Sequence, residues 1–404
     1  MSEAQDVQLA VFRVAEVALG GVPGAEDPEL DLSPLHTPCT LREAGVRDRR
    51  AIPDEHHDRD LPGMYMVQAG TLPLGIRARL QFDAARKRAK DRKKRVKRPR
   101  ERMTTMTEDQ HRQQDPTQQY PQPEYPEQDQ RDQHPGLEQE MQPEPDYGVE
   151  TYRGSGKLEG KKAVITGGDS GIGRAVALAF AREGADVVIS YLEEEEADAE
   201  EATQAVEDSG RKAVRVPGDV VEEVQCQDLI QRAVDEFGRI DVLVNNAAHQ
   251  MTVEGIADVS TDLLDRTFKT NIYAMFWLVK AALPHMPEGG SIINVASIQA
   301  YQPSPTLLPY SSTKGAIITF TKGLAQEVVQ YGLRANTVAP GPVWTPIIPA
   351  SMPGDTVSSF GGTSPMGRPA QPAELAPAFV FLASQEASYV NGETLGVTGG
   401  QPLP

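Results

Sequence analysis

A chain of 404 residues with a formal net charge of −18 has room for two or three ordinary domains. Only Cys39 and Cys226 occur, which excludes a disulfide framework, and no run of about 18 apolar residues or basic-then-apolar start marks a membrane span or a secretory leader. No His or Cys cluster suggests a metal site, and a soluble, cytoplasmic protein is the expectation.

Residues 1–102 show no sustained hydrophobic period and read as an irregular, basic extension. Arg77 to Arg102 hold fourteen Lys or Arg against Asp83, Asp91 and Glu101, a local charge of +11. Exposed cations alone suffice for phosphate contacts. No aromatics are interleaved to stack bases, however, so a solvated charge run is the preferred reading and nucleic acid an unfavoured partner. Met103 and Met106 stand just before the composition changes, so translation starting there, without residues 1–102, is an equal reading. Residues 103–156 form the next unit. From Thr107 to Gln142 it is rich in Gln, Pro, Asp and Glu, too poor in apolar surface to fold alone, and reads as a tail or a wrapping arm. Tyr147 and Tyr152 are the residues that could dock it on the domain or on a neighbouring subunit.

The third unit, 157–404, alternates strands with helices. Lys162 to Thr166 reads as a strand, followed by a glycine turn and an amphipathic helix through Arg182 capped by Gly184. Strand Asp186–Tyr191, a helix over Glu193–Asp208, strand Ala213–Pro217, helix Glu222–Phe237 and strand Val242–Asn245 follow. The series continues with helix Thr261–Leu283, strand Ser291–Ala296, helix Tyr310–Tyr331, strand Arg334–Ala339, helix Glu374–Ser384 and strand Glu393–Val397. Nearly continuous apolar strands alternating with helices imply a doubly wound, Rossmann-like α/β fold with a parallel sheet of about seven strands.

Gly167, Gly171 and Gly173 follow a strand and open a helix, the context in which backbone can approach a pyrophosphate and helix-terminal N–H groups receive its charge. Asp219 and Asn245-Asn246-Ala247-Ala248 fall at other strand ends facing the same crevice. Moving a hydride to or from a carbonyl carbon also requires a proton exchanged at the oxygen, and Tyr310 is the candidate acid/base. A phenol with a pKa near about 10 needs a neighbouring cation, and Lys314 lies one helical turn away on the same face. Ser297, just after a strand, is placed to bond and orient the substrate oxygen.

Thr166-Gly167-x-x-x-Gly171-x-Gly173, Asn245-Asn246-Ala247, Asn271 in the following helix, Ser297, Tyr310-x-x-x-Lys314 and Pro340-Gly341-x-Val343-x-Thr345 resemble, in that order, the short-chain dehydrogenase/reductase family. The resemblance covers about residues 157–400, and the stretch from Gly136 through Pro145 to Gly160 is similar to the arm of bacterial general-stress and glucose-dehydrogenase-like oxidoreductases. It implies an NAD or NADP site built from Gly167, Asp169, Ser170, Gly171, Ile172, Gly173, Tyr191, Asp219, Val220, Asn246, Ala247, Ala248, Tyr310, Lys314, Pro340, Gly341, Val343 and Thr345. Within it Asp219 and Val220 would hold the adenine, Lys314 the nicotinamide ribose, and Val343 and Thr345 the carboxamide; Ala248 replaces a frequent glycine. Asn271 would hold a water of the proton relay, and the subunits would form a homotetramer through Thr261–Leu283 and Tyr310–Tyr331.

An Asp or Glu usually ends the second strand of NAD-binding sheets, but Tyr191 stands here. Glu193 to Glu196 would repel a 2′-phosphate and Arg174 is the only nearby cation, an exposed first-turn residue otherwise, so NAD is preferred. Gln299, Tyr301, Gln302, His249 and Gln250 are expected around the substrate, His249 as an exposed loop residue, with 346–366 as a mobile lid. The expected activity is NAD(P)-dependent interconversion of an alcohol, including sugar-like alcohols, and an aldehyde or ketone. Epimerases and dehydratases share Tyr-x-x-x-Lys but would show a shorter glycine spacing and an extra C-terminal domain. A stress-linked binding or scaffold protein, working through the basic and glutamine-rich segments, is the alternative of a different class.

Overall fold

The computed structural model describes residues 113–120 and 125–404, all within one unit spanning 97–404. The basic run Arg77–Arg102 lies outside the described residues. In chain order the elements are β1 Lys162–Thr166, α1 Gly171–Arg182, β2 Asp186–Tyr191, α2 Glu196–Asp208, β3 Ala213–Pro217, α3 Glu223–Phe237 and β4 Val242–Asn245. They continue with α4 Thr261–Phe268, a π-turn Lys269–Tyr273, α5 Ala274–Ala282, β5 Ser291–Val295, α6 Leu308–Val328 and β6 Arg334–Pro340. The last are α7 Ile347–Ser351, α8 Gly354–Ser358, α9 Pro372–Ala383 and β7 Thr394–Val397.

The strands form one parallel sheet in the order β3-β2-β1-β4-β5-β6-β7. Strand side chains alternate between faces, so β1 sends Ala163 and Ile165 to one core and Val164 to the other. The first core lies under α1, α2 and α9, with Phe180, Leu375 and Phe379 fully or almost fully buried. The second lies under α3, α5 and α6, around Leu229, Leu278 and Val328. The strand order reverses between β1 and β4, and in such sheets the crevice beyond the carboxyl ends at that reversal takes ligands.

One sequence expectation needs correction and another is met. The helix expected over Thr261–Leu283 is broken into α4, the π-turn and α5, which offsets the turn carrying Asn271 from both flanks. The glutamine-rich segment packs on the domain in the way a wrapping arm would: Pro116 O accepts from Arg368 Nη2 at 2.7 Å, Tyr125 stacks on Trp344 with centroids 4.2 Å apart, and Trp344 Nε1 donates to Pro143 O at 2.8 Å. Tyr147 lies 4.4 Å under the Arg174 guanidinium and Tyr152 donates to Glu183 at 2.7 Å, so both tyrosines dock the arm on its own domain. No helix among the described residues is long and apolar enough to cross a membrane.

Candidate active site

The turn after β1 closes so tightly that only glycine fits. A Cβ on Gly173 would lie 1.8 Å from Gly167 O, and Gly167 itself has a φ of 59°, in the left-handed region. Asn246 pins the turn by donating from Nδ2 to Thr166 O and Gly167 O, each at 2.9 Å, and Thr166 Oγ1 accepts from the Asn246 and Ala247 amides. Asn246 therefore shapes the turn as well as lining the cavity beside it.

That cavity, about 850 Å³, runs from the glycine turn past Tyr191, Asp219 and Val220, under Ala247 and Ala248, to Ser297, Tyr310 and Lys314. Pro340, Gly341, Val343 and Thr345 also line it, Thr345 directly beside Gly171. Of the site residues read from sequence, Gly173 is packed behind the turn and Asn271 behind the Tyr310 turn, and Tyr301 and Gln302, expected around the substrate, do not line the cavity; the others, Gln299, His249 and Gln250 among them, do. Asp219 is paired with Arg266 from α4.

Lys314 is 1% exposed, donates from Nζ to Val295 O at 2.8 Å, and holds its ammonium 5.2 Å from the Tyr310 ring centroid. Burial pushes the Tyr310 phenol up to about 12, opposed by a hydrogen bond with Ser297, and pushes the Lys314 ammonium down to about 7. Ser297 Oγ also accepts from the Gln299 amide at 3.2 Å, which fixes the serine at the mouth of β5. Asn271, 0% exposed, receives the His249 amide at 2.7 Å and donates to His249 O and Thr313 Oγ1, each at 3.0 Å. It ties the loop after β4 to α6, directly behind the Tyr310 turn.

The depressed Lys314 has a stability consequence. Unfolded, the amine holds its proton up to about 10.5; folded, only to about 7, so the unfolded state binds more protons between these values and the penalty is complete below the lower one. Lys314→Met, which keeps the volume, is expected to raise the melting temperature at about pH 6 and to lose most of that gain by about pH 10. Calorimetry at both pH values checks this; a lower melting temperature at the acid end contradicts it.

Two local readings are corrected. His249 is 8% exposed, with Nδ1 3.0 Å from Thr267 Oγ1 and its ring 5.0 Å from that of His134 in the arm; burial holds it neutral, near 4. Arg174 is 9% exposed and bonded to Glu138 and Glu201, because the arm brings a carboxylate that no local pattern announced. The segment expected as a lid forms α7 and α8. It lines one side of the cavity and is held there through Gln250 Nε2 to Ser351 Oγ at 2.7 Å, the Thr252 amide to Ser351 O at 3.0 Å, and the arm's Gln130 amide to Pro349 O at 2.8 Å.

Comparison with known proteins gives the lineage of this site. A family model described as Enoyl-(Acyl carrier protein) reductase matches residues 167–401. General stress protein 39 of Bacillus subtilis (strain 168) is 52% identical over 266 residues, 66% of this chain and 93% of that protein. The chain belongs to the short-chain dehydrogenase/reductase family. NADPH-dependent aldehyde reductase 1, chloroplastic, of Arabidopsis thaliana is 45% identical over 272 residues, 66% of this chain and 94% of that protein. Among solved structures, a short-chain dehydrogenase from Burkholderia cenocepacia J2315 in complex with NADP is 31% identical with a TM-score of 0.57, covering 60% of this chain and 98% of that one. As a member of this family the protein is an NAD(P)-dependent oxidoreductase.

Proposed function

We propose that the protein interconverts an alcohol and an aldehyde or ketone, with Tyr310, Ser297, Lys314 and Asn271 as its working residues. The observation that carries this is the convergence of Tyr310, Ser297 and Lys314 on the wall of a cavity whose other end is the glycine turn. The cavity fits a dinucleotide: the turn leaves no room for a Cβ at Gly173, and the Asp169 carboxylate on the wall has no hydrogen-bond partner among the described residues. Gly167, Ser170 and Ile172 would hold its phosphates, with Gly171 packed beside them and its amide taken by Glu138; Asp219 and Val220 would hold the adenine, and Val343 and Thr345 the carboxamide. When bound, it supplies or accepts the hydride at the substrate carbon.

The residues do the rest. Ser297 Oγ bonds the substrate oxygen and aligns it with Tyr310. The phenol, protonated throughout the neutral range, donates its proton to that oxygen in reduction and takes it back in oxidation. Lys314, held by Val295 O, stabilises the phenolate left after donation. Asn271 positions the loop and helix that frame Tyr310, and its Oδ1 retains a lone pair for a relay water. Helices α7 and α8 exclude bulk water from the reacting oxygen.

Subunit contacts through α4, α5 and α6 form a homotetramer in this reading. Leu264, Tyr273, Phe276, Val329 and Tyr331 are large hydrophobic side chains left exposed along these helices and the turn after α6. Turnover of an aldehyde, ketone and sugar panel, followed at the nicotinamide absorbance in both directions, tests the activity. No turnover of any member by a protein that binds the dinucleotide would sink it.

A further inference from the structure

In this fold the carboxylate that reaches the ribose hydroxyls usually ends β2. Here β2 ends in Tyr191, 5% exposed, whose hydroxyl is bound to Glu196. A carboxylate comes instead from the glycine turn. Asp169 is 1% exposed, lines the cavity, and neither of its oxygens has a hydrogen-bond partner among the described residues. Glu195 lines the same wall; burial holds both carboxyls above their usual range, aided at Asp169 by the charge of Asp198 and at Glu195 by that of Asp169. A buried carboxylate without a donor is unfavourable, so this wall calls for donors from outside the chain. A ribose with a free 2′-hydroxyl brings them; a 2′-phosphate brings only acceptors and more negative charge.

The cation that a phosphate would need is withdrawn. Arg174 Nη1 bonds Glu138 Oε2 at 2.8 Å and Nη2 bonds Glu201 Oε2 at 3.1 Å, with the guanidinium over the Tyr147 ring. Glu138 belongs to the arm and is itself 3% exposed, its Oε1 accepting from the Gly171 amide at 2.6 Å.

We propose that Asp169 and Glu195, with Glu138 of the arm neutralising Arg174, select a dinucleotide with a free ribose 2′-hydroxyl over its 2′-phosphorylated form. This rests on the proposed function. Cofactor choice then resides in the glycine turn and the arm rather than at the end of β2. The Burkholderia structure in complex with NADP shows that the fold itself accommodates the phosphorylated form, so the preference in this chain would come from the named side chains.

Isothermal titration of the full chain with NADH and NADPH, without substrate, tests the assignment. NADH is expected to bind at least about tenfold tighter, which corresponds to roughly 1.4 kcal/mol. Asp169→Asn should narrow the ratio, and Glu138→Gln should tighten NADPH, a gain lost again in Glu138→Gln/Arg174→Ala. Wild type binding NADPH as tightly as NADH overturns the proposal, as does a ratio unchanged in both single variants that melt like wild type. Binding of neither dinucleotide by the wild type overturns the oxidoreductase reading as well, which separates the two failures.

Discussion

Tyr310→Phe is expected to lower kcat by about 100- to 10,000-fold, the usual contribution of a positioned acid/base, while dinucleotide affinity changes little. The substitution removes one hydroxyl from a half-buried ring on the first turn of α6 and leaves its packing beside Lys314 intact. With the phenol at about 12 the group is a proton donor over the whole neutral range. Its conjugate base needs the nearby cation, so loss of Lys314 should fall on the same chemical step. Steady-state kinetics with binding measured separately checks this; a loss confined to KM would point to a packing role.

The second large effect is at the glycine turn. Gly173→Ala places a Cβ 1.8 Å from Gly167 O and 2.7 Å from Asn246 Nδ2, atoms that belong to the turn itself and to its clamp. Backbone must move, and overpacking of this kind typically costs about 1–3 kcal/mol. We expect a lower melting temperature and a severe loss of dinucleotide binding, because displacing Gly167 also breaks the bonds from Asn246. Thermal melts and titration of the variant measure both; unchanged binding would mean that the turn does not shape the dinucleotide site.

Much of this was legible in the chain because the relevant signals are local. Uninterrupted apolar runs such as those of β1 and β4 mark strands buried on both faces, and the glycine turn shows itself by its spacing together with the strand before it and the helix after it. What escaped depends on partners distant in sequence. Glu138 lies 36 residues from Arg174 in a stretch without periodicity, so its ion pair had no local signature and Arg174 read as exposed. His249 read as a loop residue because Thr267, Asn271 and His134, which bury it, come from three other segments. The π-turn around Asn271 left the apolar pattern continuous, and one extra residue per turn is invisible to it.

The most direct measurement of the central claim is isotope transfer. The full chain is incubated with a nicotinamide dinucleotide carrying deuterium at the transferring carbon and a panel of aldehydes and ketones, and the products are analysed by mass spectrometry. The account predicts one deuterium on the former carbonyl carbon, strongly reduced in Tyr310→Phe. Reduced product without deuterium at that carbon, or equal incorporation by the variant, would contradict it.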